Sequence, residues 1–241
     1  MKKMLVKIHP AKKISFLVLL FCTRLVCAQV LIQSTDKLIR YDLIKPNNCY
    51  RSTVIYDTAG KIVNRFLSNY VTRIDTTKNE ILFIRYTPWD IGKFSLDSSF
   101  NNSSGPLRYN LTNLPRTKEE TIKFNISSVD SHLYRKGIYA DKLTQMPSGY
   151  FDDTSVWDLF GFMELSKGTK YYLNVYDSDK RDTIKYFVEY IMDDMINGAD
   201  GLETNCGVIN IKYGNKDSFI WADKETHQLK KEIFSTPVNK V

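Results

Sequence analysis

The sequence predicts an all-β protein: an antiparallel, curved or incompletely closed β-barrel carrying one short helix. Three observations lead there. Strand-length segments of alternating or β-branched residues recur at short intervals, and polar turns rich in Gly, Asn and Asp separate them. Aromatic residues make up 13% of the chain, including 15 Tyr and 13 Phe, a payload suited to half-buried pleated surfaces. Helical periodicity surfaces in one place only. A doubly wound nucleotide fold would need strands alternating with helices along the whole chain, and that pattern is missing.

Taken in order, 37–43 alternates as a first strand and Pro46-Asn47-Asn48 breaks it. Residues 50–56 then run into the turn composition Asp57-Thr58-Ala59-Gly60, and 61–74 returns as the second arm of a hairpin. A polar stretch at 75–79 leads to a strand over 80–86. Two further strands, 93–97 and 107–111, flank Asn101-Asn102-Ser103-Ser104-Gly105-Pro106, which is a loop because strand patterning resumes on both sides. Residues 121–126 alternate cleanly and a weaker strand lies around 132–136. Asp152-Asp153-Thr154-Ser155 precedes Val156, Trp157, Leu159, Phe160, Phe162 and Met163, so a helical segment over 153–165 begins with capping residues and negative charge. Strands resume at 170–176, 184–192, 203–213, 218–221 and 228–234.

Net charge misleads until it is located. The chain has 34 Lys plus Arg against 27 Asp plus Glu, a formal +7. Six of the basic residues, Lys2, Lys3, Lys7, Lys12, Lys13 and Arg24, fall within positions 1–28, which hold no acid. There a basic stretch precedes the apolar run 14–22 and the small-residue end Val26-Cys27-Ala28, the pattern of a signal peptide cleaved after Ala28. The run is too short to span a bilayer, which needs about 20 apolar helical residues. Residues 29–241 then form a single antiparallel β domain, exported to the periplasm or outside the cell, with a net charge of +1. Without a basic excess there is no expectation of nucleic-acid binding.

Candidate chemistry is sparse. Cys22 and Cys27 leave with the leader, so Cys49 and Cys206 remain, either as a disulfide in an oxidising compartment or as two buried thiols. Only His132 and His227 follow the leader, with no paired ligands at metal spacing and no nucleophile-elbow or phosphate-loop motif. Neither a cofactor, a metal nor a catalytic residue is expected. Cys206 and His227 fall on neighbouring predicted strands, where a buried thiol beside a surface turn histidine is the simpler reading than a catalytic dyad. Asp152-Asp153 belongs to the helix start and Asp193-Asp194 to a strand end, because consecutive strand residues face opposite ways and cannot pair as acid and base.

The run Leu165-Ser166-Lys167-Gly168-Thr169-Lys170-Tyr171-Tyr172-Leu173-Asn174-Val175-Tyr176-Asp177 resembles a "L-x-x-G-x-x-Y-x-L-x-x-x-D" element of an uncharacterised family of exported bacterial β-proteins. Asn197-Gly198 before Gly201, the strand with Cys206-Gly207-Val208-Ile209, and the hairpin from Phe219 through Trp221 and Asp223 to Glu232 follow in the family's order, and Asp97 and Pro106-Leu107-Arg108-Tyr109 are similar to its preceding half. The resemblance implies an open barrel similar to lipoprotein carriers of the Gram-negative envelope, whose concave face holds acyl chains. It transfers no ligand-contacting residue. Two functions follow as expectations: a non-catalytic carrier-like protein holding a lipid or other apolar ligand, and an interaction module that binds another envelope protein through its surface or an edge strand. A cavity inside the β structure favours the first.

Overall fold

The computed structural model describes residues 29–56, 61–90, 92–197 and 201–235; the leader assigned to 1–28, with Cys22 and Cys27, lies outside them. Strands fall into two sheets. An eight-stranded antiparallel meander holds β2 (Asn47–Tyr56), β3 (Ile62–Asp75), β4 (Glu80–Asp90), β5 (Lys93–Asn102), β6 (Gly105–Leu114), β7 (Lys118–Phe124), β8 (Ser128–Arg135) and β9 (Ile138–Gln145), in chain order. The second sheet holds β1 (Gln29–Leu31), β10 (Phe151–Asp152), β11 (Lys170–Asp177), β12 (Asp182–Asn197), β13 (Glu203–Tyr213), β14 (Lys216–Asp223) and β15 (Leu229–Ser235). The all-β class holds, and no closed barrel forms among the described residues.

Pairing is antiparallel with two exceptions. β1 and β10 lie parallel to β11, at Gln29↔Lys170 and Phe151↔Val175. Parallel neighbours need a crossover rather than a tight turn. For β10 that crossover contains α1 (Ser155–Leu159) and a following 3-10 turn, Phe160–Phe162, which makes a β-α-β step in a mostly antiparallel arrangement. The segment expected as a strand at 37–43 is instead a turn ending in a 3-10 helix at Tyr41–Leu43, with one bridge from Ile39 to Met163. Its apolar residues serve the helix and not a sheet: Ile39 and Ile44 are buried in the core, and Arg40 pairs with Asp42 and Glu164. β9 and the short β1 and β10 had no counterpart in the sequence pattern.

Two apolar clusters fill the interior. The larger joins Tyr171, Leu173 and Val175 of β11, Tyr186 and Val188 of β12, Ile209 and Ile211 of β13 and Ile220 of β14 to the helical Val156, Leu159, Phe160 and Phe162, and reaches across to Ile81 and Phe83 of β4. The smaller packs Tyr176 of β11 on Tyr109, Ile122, Phe124 and Val129 of the meander, with Met146 and Tyr150. At that end Arg181, in the β11–β12 turn at φ 54°, donates through Nε to Ser131 Oγ (2.9 Å) and through its terminal nitrogen to Ser131 O (2.7 Å). Thr144 of β9 returns a bond to Arg181 O at 3.1 Å.

Between the sheets lies a polar layer centred on Asp152, which is 1% exposed. Its Oδ1 accepts the amides of Thr154 (2.9 Å) and Ser155 (2.8 Å), two of the donors that a helix start leaves orphaned. Its Oδ2 accepts from Ser99 Oγ of β5 at 3.0 Å and meets the Ser155 hydroxyl. Asn101 Nδ2 donates to Ser99 Oγ and Ser155 Oγ bonds Asn101 Oδ1, closing the ring. One carboxylate thus fixes the helix start against the opposite sheet, and Gly105 lets the β5–β6 hairpin approach Ser34 so closely that a Cβ would meet its Oγ at 2.6 Å. Asp152→Ala strands the two amides and two hydroxyls, and a loss of about 2–4 kcal/mol of unfolding free energy is expected from urea titration.

Candidate functional site

Where the free edge of the meander faces the β14–β15 hairpin, the sheets leave a cleft of about 380 Å³. Its walls come from four places: Leu43 to Asn47 before β2, Arg51, Thr72 and Phe83 on neighbouring strands of the meander, Asp158 and Phe162 from the helical crossover, and Glu225 to Leu229 of the hairpin. Leu43, Ile44, Phe83, Phe162 and Leu229 make it apolar; Arg51 and Asp158 make one end charged.

Strand parity explains how charges reach the interior. β3 pairs Ser68 with Arg51 and Tyr70 with Arg85, and β5 pairs Asp97 with Arg85, so these residues share the inward face that Ile81 and Phe83 occupy one step along β4. Asp158 enters from the helix. The result is a line of alternating charge. Asp97 Oδ1 lies 3.8 Å from Arg85 Nε, Arg85 lies 3.7 Å from Asp158 Oδ2, and Arg51 donates to Asp158 Oδ1 at 2.8 Å. Arg85 also donates to Thr154 O at 3.3 Å. Tyr70 sits under both cations, its ring centroid 3.9 Å from the Arg51 guanidinium carbon and 5.1 Å from that of Arg85. Both cations therefore lie within cation–π range of one ring.

Burial sets the protonation of the acids. Desolvation lifts Asp97 to about 6 even though Arg85 pulls it down, and lifts Asp153 to about 7 against bonds from the Ser178 amide (3.0 Å) and hydroxyl (2.9 Å). Asp152 is raised for the same reason, opposed by its bonds from Ser155, Ser99 and Thr154. Burial likewise lifts the fully buried Glu120 of β7, with Lys118 Nζ 3.4 Å away.

The hairpin wall is built with equal care. Asp223 Oδ1 accepts the amides of Glu225 (2.8 Å) and Thr226 (3.1 Å), and Thr226 Oγ1 donates to Oδ2 at 2.7 Å. His227 adopts φ 61°, a left-handed conformation that non-glycine residues enter at a cost, and its ring stacks on Phe162 with centroids 5.6 Å apart. Its Nδ1 lies 3.0 Å from Gly161 O; a carbonyl only accepts, so the contact requires a proton on Nδ1. Gly161 is obligatory here, since a Cβ would come within 1.9 Å of His227 O.

The residues singled out by sequence scatter. Cys49 on β2 and Cys206 on β13 both carry free thiols and lie in different sheets, so the disulfide alternative is not realised. Cys49 is half-buried beside the cleft; Cys206 is buried opposite Asp223. His227 turns to Gly161 and Phe162 instead of toward Cys206, and it is a cleft wall where a surface turn was expected. His132 is an exposed residue bonded to Asp141 at 2.8 Å. Asp152 accepts the amides at the helix start as expected, whereas Asp153, assigned to the same role, turns to the Ser178 amide and hydroxyl beside the β11–β12 turn. Asp193 and Asp194 do not end a strand: β12 runs to Asn197, and a bulge between Tyr190 and Met192 shifts parity so that Asp193 meets Tyr190 and Lys224 while Asp194 accepts from Trp221 Nε1 at 2.8 Å. Arg51, Phe83, Asp158 and Phe162, which make the cleft, were not singled out. The available signal was the inward parity of Arg85 after Ile81 and Phe83, a cation continuing an apolar row.

Among the described residues, no group of three or more His, Cys, Asp or Glu side chains could hold a metal ion, and no helix is long and apolar enough to cross a membrane. No protein-family model, curated protein or solved structure matches the chain.

The raised carboxylates carry a pH signature. Each holds its proton in the folded chain to a higher pH than in the unfolded chain, so the fold binds more protons between about pH 4 and 7 and loses stability as pH rises through that window. Urea unfolding is expected to give a lower free energy at pH 8 than at pH 5. Asp153→Asn, which can still accept from Ser178, should shrink that difference; an unchanged difference would show that Asp153 is ionised throughout.

Proposed function

We propose that the chain is an exported, non-catalytic binding or carrier-like protein whose two sheets act as the walls of an incompletely closed barrel, with a small amphiphilic ligand held in the cleft between them. The observation that carries this reading is the cleft itself: apolar on Leu43, Ile44, Phe83, Phe162 and Leu229, charged at one end, and placed at an open seam. Its size is toward the low end of the ~300–1,000 Å³ usual for small-molecule sites. That suits a single short chain better than a multiply acylated lipid. The leader pattern and the carrier-like hairpin read from the sequence agree with that reading.

A second reading, docking to another envelope protein, draws on a different surface. Leu67, Tyr86, Leu96 and Leu114 are all exposed on the side of the meander turned from the core, where a mixed polar face would be the economical arrangement.

Native mass spectrometry of the purified protein distinguishes the two. The cleft reading predicts an adduct of a small amphiphile, or a rise in melting temperature when one is added, and predicts that Thr72→Trp, which fills the cleft, abolishes either effect while leaving the far-ultraviolet dichroism intact. No adduct and no stabilisation across a panel of chain lengths would reject it.

A further inference from the structure

We propose that the ligand is a single-chain carboxylate, with its head on Arg51 and its chain along Phe83, Phe162 and Leu229; this rests on the cleft-binding reading above. The argument turns on which charge a ligand can reach. In the line Asp97, Arg85, Asp158, Arg51 the two inner members are spoken for on both sides, and Asp158 is shared between two arginines. The terminal member toward the cleft is a cation. Its side chain is 29% exposed against 9% for Asp158, so of the two charged groups that line the cleft the guanidinium is the more accessible.

Arg51 also has bonding capacity in reserve. Its terminal nitrogen serves Asp158, while Nε is buried with no hydrogen-bond partner. A buried donor without an acceptor is costly, and the planar guanidinium fork over Tyr70 suits a two-oxygen acceptor better than a single hydroxyl. Around the rim Lys45 adds positive charge and Glu225 opposes it, both exposed; at depth Arg51 is the one cation among the lining residues, with Asp158 beside it and Glu232 of β15 within electrostatic reach. Beside Arg51 a side chamber of about 20 Å³, bounded by Asn47, Cys49, Tyr70 and Thr72, has space for one ligand oxygen or one water.

The apolar part sets the length. At the ~30 Å³ that a water molecule occupies in the liquid, 380 Å³ admits about a dozen non-hydrogen atoms. Decanoate has that size.

Titration calorimetry of the full domain with decanoate, 1-decanol and inorganic phosphate separates head from chain. Decanoate is expected to bind at least tenfold more tightly than decanol, with phosphate giving no heat at the same concentrations. Equal affinity for decanoate and decanol would overturn the carboxylate assignment while sparing the cleft; phosphate binding as tightly as decanoate would overturn the chain assignment; absence of binding by all three would overturn both this proposal and the cleft reading. Arg51→Gln combined with Asp158→Asn removes the pair without leaving a lone buried charge. Decanoate affinity should then fall to that of decanol, and retention of the original affinity would overturn the role of Arg51. Should that variant fail to fold, the comparison of decanoate with decanol on the unaltered chain still decides the matter.

Discussion

Everything between the sheets depends on one buried carboxylate. Asp152 takes the first amides of the helical crossover on one oxygen and Ser99 of the opposite sheet on the other. A short helix of this kind has little stability of its own, since nucleation costs more than five residues return. Fixing its start is what places Asp158 and Phe162 a few residues later. Asp158 can then close the line of charges begun by Asp97 and Arg85, and Phe162 can receive the ring of His227. Cap, helix and cleft are consecutive consequences of the same bond set.

The charged line is an expensive construction. Removing ions from water costs several kcal/mol apiece and is recovered only by good pairing, so an apolar filling would serve stability as well or better. Its arrangement has a directional result: the acids are the more buried members, and the more accessible charge at the cleft is the Arg51 guanidinium over the Tyr70 ring. The same desolvation raises Asp97 and Asp153. A charged lining of the cleft and a stability that declines toward alkaline pH are therefore two results of one packing choice.

The meander was largely legible, because its hairpins announce themselves locally: alternation fixes the strands and Asn, Asp or Gly marks the turns, as at Asn102 to Gly105. The failures share a cause. Residues 37–43 alternate like a strand, but they pack on the crossover and have no sheet edge to join. β1 and β10 are too short to show a period, and exist because β11 offers them an edge. Asp193 and Asp194 were misplaced at a strand end because the pairing of β12 with β13 carries on past a bulge to Asn197, and that bulge, invisible in the pattern, also sets which way each points.

By itself the sequence determined the all-β class and, among the described residues, the position of the α-helix after the polar run 152–155, since each follows from neighbours within a few positions. It also marked where positive charge concentrates, within positions 1–28. Only the tertiary structure decided that the strands divide into two sheets, that Cys49 and Cys206 occupy different ones, and that Arg51, Asp158 and His227 line a common cleft. Those three lie far apart along the chain, and what joins them is register between strands and the path of the crossover. Both are settled by packing across the whole core, so neither could be read from a local pattern.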